Sequence, residues 1–569
     1  MKFRKALSLI LAMSMAFTLF ACKDQKKSGK RSDSDKKTEE TDEKKSSKTK
    51  ETKETEETEE TDETPDIVDV SFVPDYTAQY PDKGCDIPLK PEELCYHYDM
   101  DLTLDTDANT IGGHVVFSFY NDSADDWDKL CFRDYSSLFK DGECIVSRPT
   151  EQTISGNEDE GSFEMDGEIT EIKNLVDKRE DKELEFTRDE DVSVIWVDLD
   201  ETLGSGERMT IEYDFVSKIP SLPDRYGVYE GIYCVTNFYP ILAEYVDGDW
   251  SRESFYDVGE CFYSEVSDYE VDITVPEGFE ILSTGEEKSS EENDGNVTYS
   301  YTARSVRDFV FSASDVFEMQ TREFDGVKVN VAINKDSTKY TEKEAVYDAA
   351  FLSAENSLKT FGESFGKYPY EELDIIFSPI AAGGMEYPNL IIINDDYCEE
   401  DYYTMSKYDI LINCVAHEIG HQWFMGIVGS NSGAQPWLDE SVTSYTELVY
   451  AEDNKYSMGV SDLISNSPDV MDLSEIKEAY PSSFPLGLGY IDYENDFAYI
   501  LSVYYFGETF LYQVELEVGQ DEFRTFLRDY VQKFAFRNAD AEDFFEVFYA
   551  HFGRDNERIN ELVDLCFGE

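Results

Sequence analysis

Two of the chain's five histidines, His417 and His421, stand four residues apart with Glu418 directly after the first. On a helix this spacing puts both imidazoles one turn apart on one face, where they can bind a single ion, while Glu418 projects beside them without being forced to ligate. His-Glu-x-x-His is therefore a device for holding zinc and setting a base next to an activated water. With five histidines in 569 residues, chance yields such a pair followed by an acidic residue with odds of roughly 0.01. A closed structural zinc prefers four Cys/His ligands, and no third histidine or cysteine stands at a usual spacing. A catalytic ion instead needs three protein ligands and one open position. Gly426 and Gly429 end a helix predicted over Asp409–Met425, the segment to Pro436 turns the chain, and Trp437–Ala451 predicts a returning helix with Glu440 near its start. Such a helix hairpin can bring Glu440 back to His417 and His421, giving a His₂Glu set for one Zn²⁺ per chain. Glu447, two turns beyond Glu440 on the same helix face, can orient a ligand from behind.

The elements around this site read as an α+β chain. Apolar and polar residues alternate through Tyr96–Asn121, Val192–Leu199, Met209–Phe215, Tyr269–Val275 and Val297–Ala303, which predicts strands separated by Gly, Asn, Asp and Pro turns. A β-rich N-terminal domain over 66–325 follows from this pattern. Beyond it, Glu342–Gly362 predicts a helix, Leu373–Ser378 and Leu390–Asn394 predict strands, and helical spacing dominates from Tyr408 onward. The catalytic domain is placed at 326–569.

The order His417-Glu418-Ile419-Gly420-His421 and then, after eighteen intervening residues, Glu440 is similar to the gluzincin zinc aminopeptidase family, which includes aminopeptidase N and its leukotriene-hydrolase relatives. Gly383-Gly384-Met385-Glu386-Tyr387 resembles the family's Gly-x-Met-Glu-Asn substrate motif, and Val503-Tyr504-Tyr505-Phe506-Gly507 resembles its Val-Tyr-x-Lys-Gly motif. The resemblance implies a saddle-like β-rich domain followed by a thermolysin-like, mainly helical catalytic domain. It also implies Glu418 as the base, Tyr504 as an oxyanion donor, and Gly384, Met385 and Glu386 as substrate-binding residues, Glu386 holding the free α-ammonium of a peptide. Tyr387 stands where the motif has Asn, Asp439-Glu440-Ser441 where the family has Asn-Glu-Gly, and Phe506 where it has Lys; none removes a reacting group. Because the chain ends soon after the expected catalytic helices, the family's large C-terminal helical domain is expected to be missing, leaving a more open site.

The two ends of the sequence differ in character. Residues 1–21 carry Lys2, Arg4 and Lys5 before an apolar run too short for a comfortable membrane span, and their junction with residue 22, Leu19-Phe20-Ala21-Cys22, resembles the bacterial lipoprotein lipobox. Cleavage before Cys22 and lipidation of that residue are expected, with 22–65 as a disordered tether that lacks aromatic and aliphatic residues. This puts the protein on the outer face of the bacterial membrane, anchored through its N-terminal lipid. The net charge of −75 repels nucleic acid, so no such partner is expected, and most of that charge reads as a solvated coat. Ten cysteines lack the pairs of a zinc ribbon; Cys85 and Cys95 are close enough to bridge, and most others read as small buried hydrophobes. The leading reading is a cell-surface zinc aminopeptidase acting on peptides. A zinc endopeptidase, a hydrolase of a non-peptide substrate, and a peptide-binding lipoprotein on a protease scaffold remain alternatives.

Overall fold

The computed structural model describes residues 67–68, 81–140, 166–253, 259–260, 262–340, 342–398, 409–455 and 472–568. Cys22 and the expected signal and tether segments lie outside the described residues. The N-terminal part is built on an eight-stranded sheet in the order Glu286–Asn293, Asn296–Val306, Ser267–Pro276, Tyr96–Asp105, Thr110–Tyr120, Arg208–Lys218, Glu171–Asp177 and Lys182–Glu183. Tyr96–Asp105 runs parallel to Ser267–Pro276, with Tyr98 opposite Tyr269; the other pairs are antiparallel. Alternation in Tyr96–Asp105 turns Tyr98, Met100, Leu102 and Leu104 inward, as a half-buried strand requires. There Tyr98 stacks on Phe117 at 4.0 Å and on Tyr269 at 5.0 Å between ring centroids. Two four-stranded sheets complete this part, one centred on Trp127–Arg133 and Val194–Leu203, the other on Phe311–Ser314 and Ile232–Val235. The exposed edge Glu286–Asn293 (EEKSSEEN) is highly charged, which discourages pairing with another chain.

The second part begins with a five-stranded sheet ordered Phe317–Phe324, Val327–Asn334, Glu372–Ser378, Leu390–Asn394 and Gly384–Met385. Its first hairpin straddles the expected boundary at 325/326. The three middle strands are parallel, so helix α1 (Lys343–Phe365) forms the crossover between Val327–Asn334 and Glu372–Ser378. Those strands are nearly continuous apolar runs because both faces are covered. The short edge strand Gly384–Met385 is antiparallel to Leu390–Asn394. Helices α2 (Asp409–Gly420) and α3 (Trp437–Asn454) follow, then α4 (Leu473–Ala479), α5 (Asp496–Ile500), a π-helical turn over Leu501–Phe506, α6 (Gly507–Val518), α7 (Gln520–Phe534), α8 (Ala541–Phe552) and α9 (Glu557–Phe567).

Two sequence-based expectations need correction. Residues 343–567 form a substantial helical region at the C-terminal end, which overturns the expectation that a C-terminal helical domain is missing and removes the argument for an open site that rested on it. The physical reason is the amphipathic spacing after Phe506. In α7, Phe523, Phe526, Leu527, Tyr530, Val531 and Phe534 fall on one face and bury against Phe544, Phe548 and Phe552 of α8, joining the same core as the zinc-motif helix. The helix predicted over Asp409–Met425 ends at Gly420 instead. Beyond it the amides of Gly426, Ile427 and Val428 reach back five residues to the carbonyls of His421, Gln422 and Trp423, a wider turn that α-helical geometry excludes.

Among the described residues the cysteines are free thiols: Cys85 is half-buried, and Cys95, Cys131, Cys234, Cys398, Cys414 and Cys566 are buried. Cys85 and Cys95 therefore do not bridge. No helix among the described residues is long and apolar enough to cross a membrane.

Trp423 locks the end of the motif helix into this core. It is fully buried, its indole N–H donates to the Gly366 carbonyl at 2.8 Å, and its ring packs on Phe361 and Tyr368. Trp423→Ala should lower unfolding stability by ~3–5 kcal/mol in urea titration, the usual cost of emptying a large aromatic site. A loss below ~1 kcal/mol would contradict this packing.

Candidate metal centre

Helix α2 supplies His417 on its last turn, and His421 follows immediately, its amide still bonded to the His417 carbonyl at 3.2 Å. Helix α3 returns antiparallel and supplies Glu440 from its first turn. The two Nε2 atoms lie 3.2 Å apart, and Glu440 Oε2 stands 3.4 Å from each. A tetrahedral zinc with bonds of ~2.0–2.1 Å has ligand–ligand edges of roughly 3.3–3.4 Å, so the three donors fit one face of such a tetrahedron. Beside these donors His417, Tyr504 and Gly383–Gly384 remain partly exposed.

Each imidazole must free its Nε2 lone pair, and the neighbours enforce this. His417 Nδ1 faces Glu447 Oε1 at 2.8 Å, and Glu447 Oε2 in turn accepts from Asn413 Nδ2 at 2.8 Å. His421 Nδ1 faces the Phe424 carbonyl at 3.2 Å, with Asp439 Oδ1 at 2.7 Å and the Thr443 hydroxyl at 3.1 Å. A carbonyl can only accept, so Nδ1 carries the proton and Nε2 is left for the ion. Ser432 donates to Asp439 Oδ2 at 2.8 Å, fixing that carboxylate. Asp439, a departure from the resembled motif, thus acts beside a ligand histidine. Sequence reasoning identified Glu447 from its helix spacing but missed Asn413 and Asp439.

Glu418, 5% exposed, points into the same space. Burial pushes its carboxyl up to about 7, against the lowering pull of His417 and His421. Glu386, also 5% exposed, has a carboxylate oxygen within 4.8 Å of donor atoms on Glu418 and His421. Burial raises it well above the ordinary carboxylate range, and the charge of Glu260 pushes the same way. A cation bound beside Glu386 would offset both effects by favouring its charged form. Burial also tends to raise Glu440, but its hydrogen bonds with His417 and His421 win and hold it well below the usual range. Tyr504, in the π-helical turn, donates to Glu440 Oε1 at 2.6 Å and lies with its ring 6.2 Å from that of His417. One extra residue per turn rotates Tyr504 relative to an α-helical register, and π turns of this kind gather at functional sites.

The structure brings His417, His421, Glu440, Glu418, Glu386 and Tyr504 together. The Met385 side chain, 2% exposed, instead packs in an apolar cluster with Ile376, Tyr387, Leu390 and Ile392, so any substrate contact at Met385 falls to its main chain. Tyr387 is buried too; its hydroxyl bonds to Thr236 and Asn237 of the N-terminal part at 2.9 and 3.0 Å, tying the Glu386 strand to that unit. That unit also contributes a partly buried pair, Arg225 Nη1 to Glu260 Oε2 at 2.7 Å, which no local pattern marked. After His421 the chain turns sharply at Met425, whose φ of +148° suits glycine and costs on the order of 1–3 kcal/mol.

Residues 349–565 match the Peptidase family M1 domain. The chain is 26% identical to leukotriene A-4 hydrolase of Xenopus laevis over 246 residues, which is 40% of this chain and 37% of that protein. It is 25% identical to aminopeptidase N of Streptomyces lividans over 211 residues, 37% of this chain and 25% of that one. The chain thus spans well under half the length of these curated relatives. Among solved structures, the M1 zinc metallopeptidase from Deinococcus radiodurans superposes with a TM-score of 0.56 at 16% identity, covering 85% of this chain and 97% of that one, a likeness of fold. A mutant of the same protein bound to a Tyr-Ser-Ala substrate superposes at 0.55 and 17% identity. The domain match and the converging donors of His417, His421 and Glu440 support a zinc metallopeptidase.

Gly384 makes the position of Glu418 testable. A Cβ at Gly384 would stand 2.1 Å from Glu418 Oε1, so only glycine lets the edge strand approach that carboxylate. Gly384→Ala should push Glu418 aside and lower turnover ~100-fold, the lower end for losing acid–base assistance, while bound zinc measured by elemental analysis stays the same. Unchanged turnover would mean that Glu418 does not act from this position.

Proposed function

We propose that this protein is a lipid-anchored, cell-surface zinc aminopeptidase that removes N-terminal residues from peptides. The observation that carries the reading is the buried carboxylate of Glu386 beside the three-donor centre, since a free α-ammonium is the ligand that best satisfies it. Zinc held by His417, His421 and Glu440 supplies Lewis acidity and makes water a competent nucleophile near neutral pH. Glu418 accepts the proton of the attacking water and delivers it to the leaving amine, a role that its buried place beside the three donors suits. The Tyr504 hydroxyl donates to the oxyanion that develops at the scissile carbonyl, a contact worth roughly 3 kcal/mol where comparable donors have been deleted. Glu386 sets the direction of binding by holding the amine, so cleavage falls one residue in. An endopeptidase would leave that carboxylate without its cation.

Rates on amino-acid arylamides, free and acetylated at the amine, test the reading, each with and without chelator. Wild type should favour the free amine and lose activity with chelator. Glu386→Gln should cost free-amine substrates ~2 kcal/mol in kcat/KM, roughly 30-fold, and acetylated ones little. Equal wild-type rates on both substrates would favour the endopeptidase.

The location rests on residues 1–22 of the sequence alone. If Cys22 carries lipid, the mature protein should partition with membranes and Cys22→Ser should block that lipid attachment. An unmodified N-terminus downstream of Cys22, found by mass spectrometry on the intact surface protein, would contradict the anchor.

A further inference from the structure

We infer that Arg307, contributed by the β-rich part of the chain, is a positioning residue for the zinc ligand His421, acting through the turn that follows it. The inference rests on the zinc reading above. Because α2 stops at Gly420, His421 is not held by a continuing helix. Its ring is oriented by the Phe424 carbonyl at 3.2 Å, and its own carbonyl accepts from Gly426 N at 2.9 Å, so its placement depends on the path of residues 424–426. That path passes through Met425 at φ +148°, a conformation that persists only where the surroundings over-determine it.

Arg307 does this. It is 6% exposed, and its Nε donates to the carbonyls of Met425 at 2.7 Å and Gly426 at 3.2 Å. The remainder of the guanidinium is anchored elsewhere: Nη1 donates to the Ser264 carbonyl at 2.9 Å and to Asn538 Oδ1 at 2.6 Å, and Nη2 to the Arg537 carbonyl at 2.8 Å. The fixed planar fork of arginine can serve three directions at once, which a lysine ammonium on a flexible stem does not reproduce. Gly429 records the same constraint: a Cβ there would fall 2.1 Å from Arg307 Cζ and 2.3 Å from Asn538 Oδ1. The strand Val428–Gly429 then pairs with Arg537–Asn538, so the group that holds the turn is itself held from both sides. Sequence separation hides all of this, since Arg307 lies more than a hundred residues from the turn it supports.

A residue that merely glued two units together would affect unfolding and leave the metal alone. The test is therefore the rate at which zinc leaves the full-length folded protein, followed with a chromogenic chelator well below the melting temperature. Wild type, Arg307→Lys, Asn538→Ala and a control weakened in the β core, Val271→Ala, are compared, with circular dichroism confirming the fold of each. Arg307→Lys should release zinc at least ~10-fold faster, the lower end of losses seen when the partners of metal ligands are removed. Asn538→Ala, which removes one anchor of the guanidinium, should shift release in the same direction by less, and carries the test if Arg307→Lys does not fold. Val271→Ala should release zinc as wild type does. Wild-type release rates in both Arg307→Lys and Asn538→Ala, or equal acceleration in the Val271→Ala control, would overturn the positioning role while leaving the zinc centre standing. A wild-type protein that binds no zinc would instead defeat the reading on which the inference rests.

Discussion

Two imidazoles can present lone pairs to one point only if each is made to commit its other nitrogen to an acceptor. In this protein that commitment organises the centre. Glu447 takes Nδ1–H of His417, and the Phe424 carbonyl, with Asp439 beside it, takes that of His421. Helix α3 consequently carries more than the third ligand. Asp439, Glu440, Thr443 and Glu447 lie along its inward side, so one rigid element supplies a candidate ligand, the acceptor for His417 and two of the groups beside His421, whose tautomer the Phe424 carbonyl sets. Acceptors behind metal ligands raise ligand basicity as well as fixing ring direction.

The same economy creates an electrostatic burden. Glu386, Glu418, Asp439 and Glu440 are buried, with Glu260 and the cation Arg225 partly buried near them. Burial raises Glu386, Glu418 and Glu260, and neighbouring carboxylates push the same way, Glu260 and Glu418 on Glu386, and Glu440 and Asp439 on both Glu418 and Glu260. A divalent cation at one end and an ammonium at the other would neutralise this excess, which is why the arrangement is suited to a ligand carrying positive charge. The −75 net charge of the whole chain is a separate matter, carried by exposed side chains such as those of Glu286–Asn293.

The two parts of the chain meet at the site as more than neighbours. Tyr387 fastens the Glu386 strand to Thr236 and Asn237, and Asn237 bonds onward to Asp308 at 2.9 Å. Arg307, the adjacent residue, reaches the opposite side of the centre at Met425 and Gly426. One segment of the β-rich part thus touches the supports of both the Glu386 strand and His421, fixing their separation with hydrogen bonds that burial makes costly to break.

Local pattern determined a good deal. Histidine spacing, the returning helix with Glu440 and Glu447, the alternating strands such as Tyr96–Asp105, and the apolar parallel strands are all written at short range, where helix and strand periodicity fix which side chains share a face. What lay beyond that range was decided by tertiary structure. Helix α2 stops at Gly420, past which amides reach back three or five residues instead of four, Tyr504 sits in a π turn that no periodicity announces, and the helices after Phe506 belong to a substantial C-terminal helical region, where the sequence reading found helical spacing but expected no C-terminal helical domain. Asp439 looked like a departure from a motif until the fold set it against His421, and Arg225, Glu260 and Arg307 carry no local mark at all. Periodicity reports which face a side chain occupies; which distant group meets that face depends on how whole elements pack, and only the folded chain decides it.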